Sequence, residues 1–388
     1  MPEGDDLVKE AYQLREFEAT LTGLGVRTDF KSWHKPRKQY IRLQQWCKEV
    51  EKLIGKLGLK EGRSLRYLGL PGEDLLDIRV LEGVCLKHDV RLRYLGFDAS
   101  LTGVATNLAS HEVNGKSFID PGSIVIGDKF EKLVEAGSVA NRRVQDHGTF
   151  DVINIDLCGS VTKSDASGQF PSLEAIARLC ESQIRSPGHP WLLFLTTRAL
   201  QDEMTPDLGS KLFSAVLQNV SRHAAFRADL ANRLSLDSAL VEQMAACETR
   251  LEGQHWLYAY VLALSKWLLG LMLSSDYKVA VRLLTSYSYA VSDTGSDMAS
   301  LAFFFEPGPV QFTDESGLTG VRPDTAVLSA EPELALELIE AVAAIQDLDA
   351  MMELDPDLHE RYIQKTITLL APLRYGAEAY RNFALGPG

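Results

Sequence analysis

Short apolar runs alternate with helical patterns between residues 64 and 197, and this alternation restricts the fold more than any other feature of the chain. Runs that are apolar on both faces and separated by helices are typical of parallel strands buried between two helical layers. Strands are predicted at residues 65–70, 90–97, 123–127, 150–155 and 191–195, and helices or helical turns at 73–87, 101–111, 130–136 and 172–185. The sequence therefore predicts an α/β protein with a Rossmann-like, doubly wound and mostly parallel sheet.

Helical segments flank this region and also follow its fifth strand. Their apolar periodicity predicts helices at residues 7–22, 39–58, 205–275, 331–350 and 356–383, the last interrupted at Pro372. Residues 279–292 and 299–305 predict an antiparallel hairpin at the edge of the sheet, and residues 306–329 a mobile loop. We divide the chain into a basic helical N-terminal extension (1–62), a Rossmann-like domain (63–310) with a helical insertion at about 200–275, and a loop with C-terminal helices (311–388).

The charge of the chain is unevenly distributed. The formal net charge of -13 argues against a histone-like protein that coats nucleic acid, yet residues 27–66 hold twelve basic and four acidic residues. Such a segment can bind the phosphates of RNA or DNA, and Lys35, Arg37, Lys38 and Arg42 are the candidate contacts to an anionic substrate. The alternative is a solvated helix face that binds no ligand.

Cysteine usage and the apolar segments predict a cytoplasmic protein. The five cysteines are odd in number and lack metal-ligand spacing, so neither a disulfide framework nor a metal site is predicted. Residues 255–273 are long enough to cross a bilayer, but Lys266 lies near the middle, so a buried core helix is predicted instead. The first six residues are acidic, and no signal peptide is expected.

Polar and glycine residues follow the predicted strands at the points where each strand ends. Gly69 and Gly72 follow the first strand, Asp98 the second, Asp128 the third and Asp156 the fourth. Open α/β sheets bind ligands outside the carboxyl ends of their strands, where carboxylates accept hydrogen bonds from ribose hydroxyls or amino groups. The sequence therefore predicts a ligand cleft at this end of the sheet. The alternative for Asp98 is an N-cap of the next helix.

This arrangement resembles the fold of class I S-adenosylmethionine-dependent methyltransferases over residues 64–305. The resemblance implies that the loop containing Gly69, Pro71 and Gly72 holds the methionine end of S-adenosylmethionine, that Asp98 binds the ribose and that Asp128 binds the adenine. The loop departs from the family's pattern, because the usual G-x-G-x-G is reduced to two glycines three positions apart.

The end of the fourth strand, Asp156-Leu-Cys-Gly-Ser160, resembles the D-P-F-G-S motif of guanine-N2 transfer-RNA methyltransferases at its first, fourth and fifth positions. The resemblance implies methyl transfer in line from a sulfonium to a nucleophile, with the protein mainly orienting donor and acceptor. Asp156 is the candidate catalytic residue, which would hydrogen-bond the acceptor or take its proton. The alternatives for Asp156 are a helix cap or a cofactor contact alone.

Two other functions compete with a methyltransferase acting on a nucleic acid or another anionic substrate. A catalytically degenerate module could bind a nucleotide, a nucleic acid or a protein partner. It is favoured by the weakened glycine loop and by Leu157 and Cys158, which replace the proline and the aromatic residue of the D-P-F-G-S motif. A nicotinamide-dependent oxidoreductase is disfavoured, because no G-x-G-x-x-G follows the first strand. The C-terminal helices could close the core or contact a protein partner, including a second copy in a homo-oligomer. Their apolar stripe, formed by Leu334, Leu338, Val342 and Ile345, fits either role.

Overall fold

A mixed, nine-stranded sheet organises the part of the chain that the structure describes. The computed structural model describes residues 25–60, 62–99, 104–184, 188–251, 253–275, 278–291, 297–308 and 331–386. The strands are β1 (Ser64–Gly69), β2 (Arg91–Phe97), β3 (Ile124–Ile126), β4 (Val152–Asp156), β5 (Trp191–Arg198), β6 (Val279–Leu283), β7 (Tyr287–Tyr289), β8 (Met298–Pro307) and β9 (Gln346–Asp347). Their order is β3-β2-β1-β4-β5-β8-β7-β9, and β6 also pairs with β8.

The first five strands run parallel, and β8 lies antiparallel beside β5. Strands β6 and β7 pair antiparallel with different parts of β8, so the predicted hairpin is confirmed but its first arm is interrupted at residues 284–286. The crossover from β3 to β4 passes β2 and β1, which places the carboxyl ends of β1 and β4 side by side. In open α/β sheets such a reversal of strand order forms the ligand crevice.

Fourteen helices are present in the described part of the chain. The continuous helix α1 consists of Pro36–Ile41, a π-helical turn at Arg42–Cys47, and Lys48–Leu57. The others are α2 (Leu76–Arg79), α3 (Glu82–His88), α4 (Val104–Asn114), α5 (Val139–His147), α6 (Pro171–Ile184), α7 (Pro206–Arg222), α8 (Ala224–Leu234), α9 (Ser238–Ala245), α10 (Gly253–Leu273), α11 (Glu331–Ala343), α12 (Leu348–Leu354), α13 (Pro356–Leu370) and α14 (Ala377–Leu385).

The side chains of each strand point alternately to the two faces of the sheet, so the core consists of one large cluster on each face. Leu68, Ile153 and Leu193 pack on one face with helices that include α6, α7, α10 and α11. Tyr67 and Phe194 point to the other face, where α1, α3 and α12 cover them. Because successive side chains of a strand point to opposite faces, a continuously apolar strand needs helices on both. The first cluster contains residues from beyond the boundary predicted at residue 310, and the second contains residues from beyond both this boundary and the one predicted at residue 62.

Several predicted elements differ from the observed ones for local reasons. The helix predicted at 73–87 is divided into α2 and α3, and it starts late because Leu75 adopts a left-handed backbone conformation. Helix α5 was not predicted, since only Ala140 and Val144 are buried on it; its signal is Ser138, which caps the backbone N–H of Asn141. The predicted helix at 331–350 ends at Ala343, before β9 and α12.

Other predictions fall inside the helical regions or outside the described residues. The segment 205–275 contains four helices, and α10 is long and apolar enough to cross a membrane but is mostly buried in the core. Lys266 in its middle is buried and pairs with the partly exposed Glu331 at the start of α11. The interruption predicted at Pro372 is confirmed as a 3-10 turn. The helix predicted at 7–22 and nearly all of the loop at 306–329 lie outside the described residues.

Candidate functional site

The loop after β1 is shaped by a glycine of its own and by a glycine on β2. Gly72 has a positive φ of 61°, a conformation that glycine adopts without strain. Pro71 packs so closely on the end of β2 that a Cβ atom at Gly96 would lie 3.0 Å from its Cγ. The loop is therefore held against the carboxyl end of β2, beside the residue that begins the following turn, Asp98.

A cavity of about 270 Å³ opens between this loop, the ends of β2 and β4, and the segment that leads into α1. Its lining includes five of the residues predicted from sequence: Arg42, Pro71, Gly72, Asp98 and Asp156. The rest of the lining is formed by Lys31, Trp33, Leu70, Glu73, Asp74, Leu76, Asp77 and Cys158. The predicted cleft at the carboxyl ends of the strands is therefore present as a cavity.

Two of the predicted cofactor residues do not line this cavity. Gly69 instead makes room for a neighbouring ring, because a Cβ atom there would lie 2.6 Å from Cε1 of Tyr67. Asp128 accepts a hydrogen bond from the backbone N–H of Lys129 at 2.8 Å and pairs with Lys132 at 2.9 Å. The hydrogen bond with Lys132 lowers the pKa of Asp128. Asp128 thus stabilises the turn after β3, and its contact with an adenine stays a prediction.

Asp156, at the end of β4, is held by a lysine from the N-terminal helix. Lys38 Nζ lies 2.5 Å from Asp156 Oδ1 and 3.4 Å from Thr196 Oγ1 on the adjacent strand. The Lys38 side chain is only 6% exposed. Burial alone would lower the pKa of Lys38, but the charge and hydrogen bond of Asp156, together with Tyr289, raise it overall. The candidate catalytic carboxylate is therefore already paired with a cation.

A second carboxylate, Asp77 on α2, lies beside this pair. Asp77 accepts hydrogen bonds from Arg42 Nε at 3.3 Å and from Asn154 Nδ2 at 3.4 Å, both near the long end of the hydrogen-bond range. Burial, followed by repulsion from Asp156, raises the pKa of Asp77 to about 6, although Arg42 opposes the shift. Two carboxylates, Asp77 and Asp156, and two cationic side chains, Lys38 and Arg42, therefore lie close together in a water-poor environment where β1 and β4 meet.

Asp74, which also lines the cavity, joins three parts of the chain. Its carboxylate accepts hydrogen bonds from Arg27 Nη1 at 2.7 Å and from the Tyr375 hydroxyl at 2.9 Å, and it lies 3.1 Å from His34 Nε2. Burial would raise the pKa of Asp74, but the hydrogen bond with His34 and the charge of Arg27 lower it overall. The N-terminal segment, the β1 loop and the C-terminal helices are therefore linked through one buried carboxylate.

The four basic residues nominated as substrate contacts all have partners within the protein, and their contact with a substrate stays a prediction. Lys38 and Arg42 pair with the cleft carboxylates, as described above. Lys35 Nζ donates to the backbone carbonyls of Phe383 and Gly386, and Arg37 pairs with Asp349 at 2.9 Å. Each of these cations therefore already has an acceptor in the fold, which an anionic substrate would have to compete with. Binding of a nucleic acid elsewhere on the protein stays a prediction.

The segment after β4 divides between the cavity and the core. Cys158 is exposed and lines the cavity, whereas Ser160 is buried and its hydroxyl lies 2.6 Å from that of Thr162.

Sequence reasoning missed Asp74 and Asp77 as cavity residues. Their signal was two acids three positions apart within an apolar helical pattern, directly after the glycine loop.

The strand order and the cavity at the carboxyl ends define a Rossmann-like α/β fold with a mostly parallel sheet. The chain belongs to the PP_RS20740-like family, whose model matches residues 27–385. No curated protein matches the sequence significantly.

Two solved structures are similar to the chain at low identity. The citrinin polyketide synthase CMeT domain has 12% identity and a TM-score of 0.31, with 66% of this chain and 52% of that chain covered. The chain thus spans about half the length of that structure. The cyclopropane-fatty-acyl-phospholipid synthase-like protein from Lactobacillus casei has 11% identity and a TM-score of 0.30, with 69% and 92% covered.

Proposed function

We propose that the protein binds S-adenosylmethionine in the cavity at the ends of β1, β2 and β4 and acts as a methyltransferase. The observation that carries the proposal is the convergence of Pro71, Gly72, Asp98 and Asp156 on one cavity. Five carboxylates and two basic side chains line it, so its field favours a cationic ligand over a dinucleotide with an anionic pyrophosphate. Asp98 is assigned to the ribose hydroxyls and the Pro71–Gly72 turn to the amino-acid end.

Bound S-adenosylmethionine would supply an electrophilic methyl group on a sulfonium. The protein's own contribution is to orient the reactants and exclude water. Trp33 and residues of the segment before α1 form a wall of the cavity opposite the strand ends. Asp156 and Lys38 together would hydrogen-bond an acceptor that approaches from the β4 side, with the carboxylate accepting and the ammonium donating.

Calorimetric titration with S-adenosylmethionine and S-adenosylhomocysteine tests the binding site. We expect both to bind the wild-type protein, and Asp98→Ala to weaken binding roughly 10- to 100-fold, because a hydrogen bond to a charged group is lost. Asp207→Ala is the control, since Asp207 is an exposed carboxylate on α7 that lies outside the cavity lining. Its affinity should stay within about twofold of the wild type. Wild-type protein that binds neither ligand at millimolar concentration would overturn the proposal.

A second function, a non-catalytic ligand-binding module, is favoured by the Lys38–Asp156 ion pair. An acid that is neutralised by a lysine is a poor proton acceptor, and the pair occupies the β4 end of the cavity. The two functions separate when the protein is incubated with methyl-labelled S-adenosylmethionine and a cell extract. Incorporation that Asp98→Ala reduces supports transfer, whereas cofactor binding without incorporation supports the module.

The proposal of a nucleic-acid acceptor now depends on the outward side of α1 and the loop that follows it. Lys48, Lys52 and Lys60 are exposed there, in contrast to Lys35 and Lys38. Changing these three lysines to alanine should reduce the salt dependence of RNA or DNA binding by about one unit of slope per lost phosphate contact. Lys211→Ala, on the exposed side of α7, is the control. An unchanged slope in the triple variant would contradict nucleic-acid binding at this surface.

A further inference from the structure

The junction of β1 and β4 offers two carboxylates to a ligand, and they differ in how tightly they are already held. Asp156 has a lysine at 2.5 Å, whereas the contacts of Asp77 with Arg42 and Asn154 measure 3.3 and 3.4 Å. Both acids line the same cavity. A cation that enters the cavity would therefore find the Asp77 carboxylate less fully hydrogen-bonded than that of Asp156.

A second observation beside Asp77 points to an N–H donor from outside the protein. Asn154 is 1% exposed, and its Nδ2 donates to the Tyr67 hydroxyl at 2.9 Å and to Asp77. Among the described residues, none donates a hydrogen bond to Asn154 Oδ1. A buried amide oxygen without a donor is uncommon because its desolvation costs about 1–3 kcal/mol. An ammonium group has three N–H donors, enough for this oxygen and for Asp77 together.

Resting on the proposed function, we propose that Asp77, with Asn154 beside it, receives the α-ammonium group of S-adenosylmethionine, while Lys38 withholds Asp156 from that role. The assignment places the amino-acid end of the ligand next to α2, directly after the Pro71–Gly72 turn. It replaces Asp156, which the sequence had suggested as a cofactor contact, with an acid that the sequence had not singled out.

The charges around Asp77 make this contact dependent on pH. The ionisable groups that face it are Arg42, Lys38 and Cys47 from α1, Tyr67 from β1 and Asp156 from β4. Their combined effect with burial raises the pKa of Asp77 to about 6. An ammonium binds the ionised carboxylate, so affinity should increase as the pH rises from 5 to 7. The ligand's own ammonium stays charged over this range, because its pKa is about 8.

The test is calorimetry with S-adenosylmethionine, S-adenosylhomocysteine and methylthioadenosine at pH 5.0, 6.0 and 7.0. For a group with a pKa near 6, linkage predicts roughly tenfold tighter binding at pH 7 than at pH 5, and release of about half a proton at pH 6. The first two ligands carry the ammonium and should show this change. Methylthioadenosine lacks the amino-acid end and should bind with an affinity that does not depend on pH.

Asp77→Asn should weaken binding of the two amino-acid ligands and abolish both the pH dependence and the proton release. Asp98→Asn is the matched control, since it also removes a carboxylate from the cavity: affinity should fall, but the tenfold change should remain. Circular dichroism and thermal unfolding establish that each variant is folded. The inference is overturned if the affinity of Asp77→Asn changes with pH as that of the wild type does. It is also overturned if the affinity for methylthioadenosine changes with pH in the same way, or if the affinity for S-adenosylmethionine changes with pH but that for S-adenosylhomocysteine does not. Absence of any ligand binding to the wild type would overturn the proposed function as well.

Discussion

Replacing Lys38 by methionine is expected to lower the free energy of unfolding by about 3 kcal/mol. Methionine fills a similar volume but leaves the Asp156 carboxylate without its cation in a water-poor environment. We place the effect at the low end of the range for broken buried ion pairs, because Asp156 lines the cavity and keeps some access to water. The pKa of Lys38 is raised, so the contribution of its charge is fully present at neutral pH and is lost only above the ordinary lysine pKa of about 10.4.

Urea unfolding at pH 7 measures the effect, and Lys52→Met on the same helix is the control. The Lys52 side chain is 70% exposed and pairs with Glu49 within one turn, so its loss should cost less than about 1 kcal/mol. Adding Asp156→Leu to Lys38→Met removes the stranded carboxylate and should restore about 2 kcal/mol. Equal destabilisation by Lys38→Met and Lys52→Met would show that the ion pair does not stabilise the fold.

The sheet could be predicted because its signals are local. Strand β1 is predicted at 65–70 and lies at Ser64–Gly69. The prediction succeeds because a short apolar run between turns is typical of a buried strand. The cleft followed from the same pattern, because parallel strands bring their carboxyl ends to one edge. Asp98 and Asp156 therefore lie at one cavity although 58 residues separate them in the sequence.

The charge pairing in the site could not be predicted, because it depends on how α1 packs over the sheet. Lys38 and Asp156 are 118 positions apart, and no periodicity relates them. The same basic residues on an outward-facing helix would have formed a phosphate-binding surface. The apolar stripe that includes Trp46 and Val50 determines which face of α1 packs on the sheet. Because the cations lie next to this stripe, they come close to the acids at the strand ends. The sequence shows which residues are charged, but not which cation pairs with which carboxylate in the folded protein.

Replacing Asp74 by alanine is expected to lower the free energy of unfolding by about 3–5 kcal/mol at pH 7. The side chain is 2% exposed, and its loss leaves the Tyr375 hydroxyl and the His34 ring without an acceptor in the core. Arg27, which is stacked 4.1 Å from the Tyr375 ring centroid, loses its closest carboxylate. Because Asp74 connects three segments, the N-terminal residues and α14 should loosen together.

The matched control for Asp74 is Asp29→Ala, and pH supplies a second test. Asp29 contacts the same Arg27 at 3.3 Å but is 53% exposed, so its removal should cost less than about 1 kcal/mol. The folded-state pKa of Asp74 is lowered, so its stabilisation is present above the unfolded pKa of about 3.9 and is lost as pH falls through the lower folded value. The difference in stability between wild type and Asp74→Asn should therefore be constant from pH 5 to 7 and shrink below pH 4. A difference that persists unchanged in acid would mean that Asp74 stabilises the fold by packing, not through its charge.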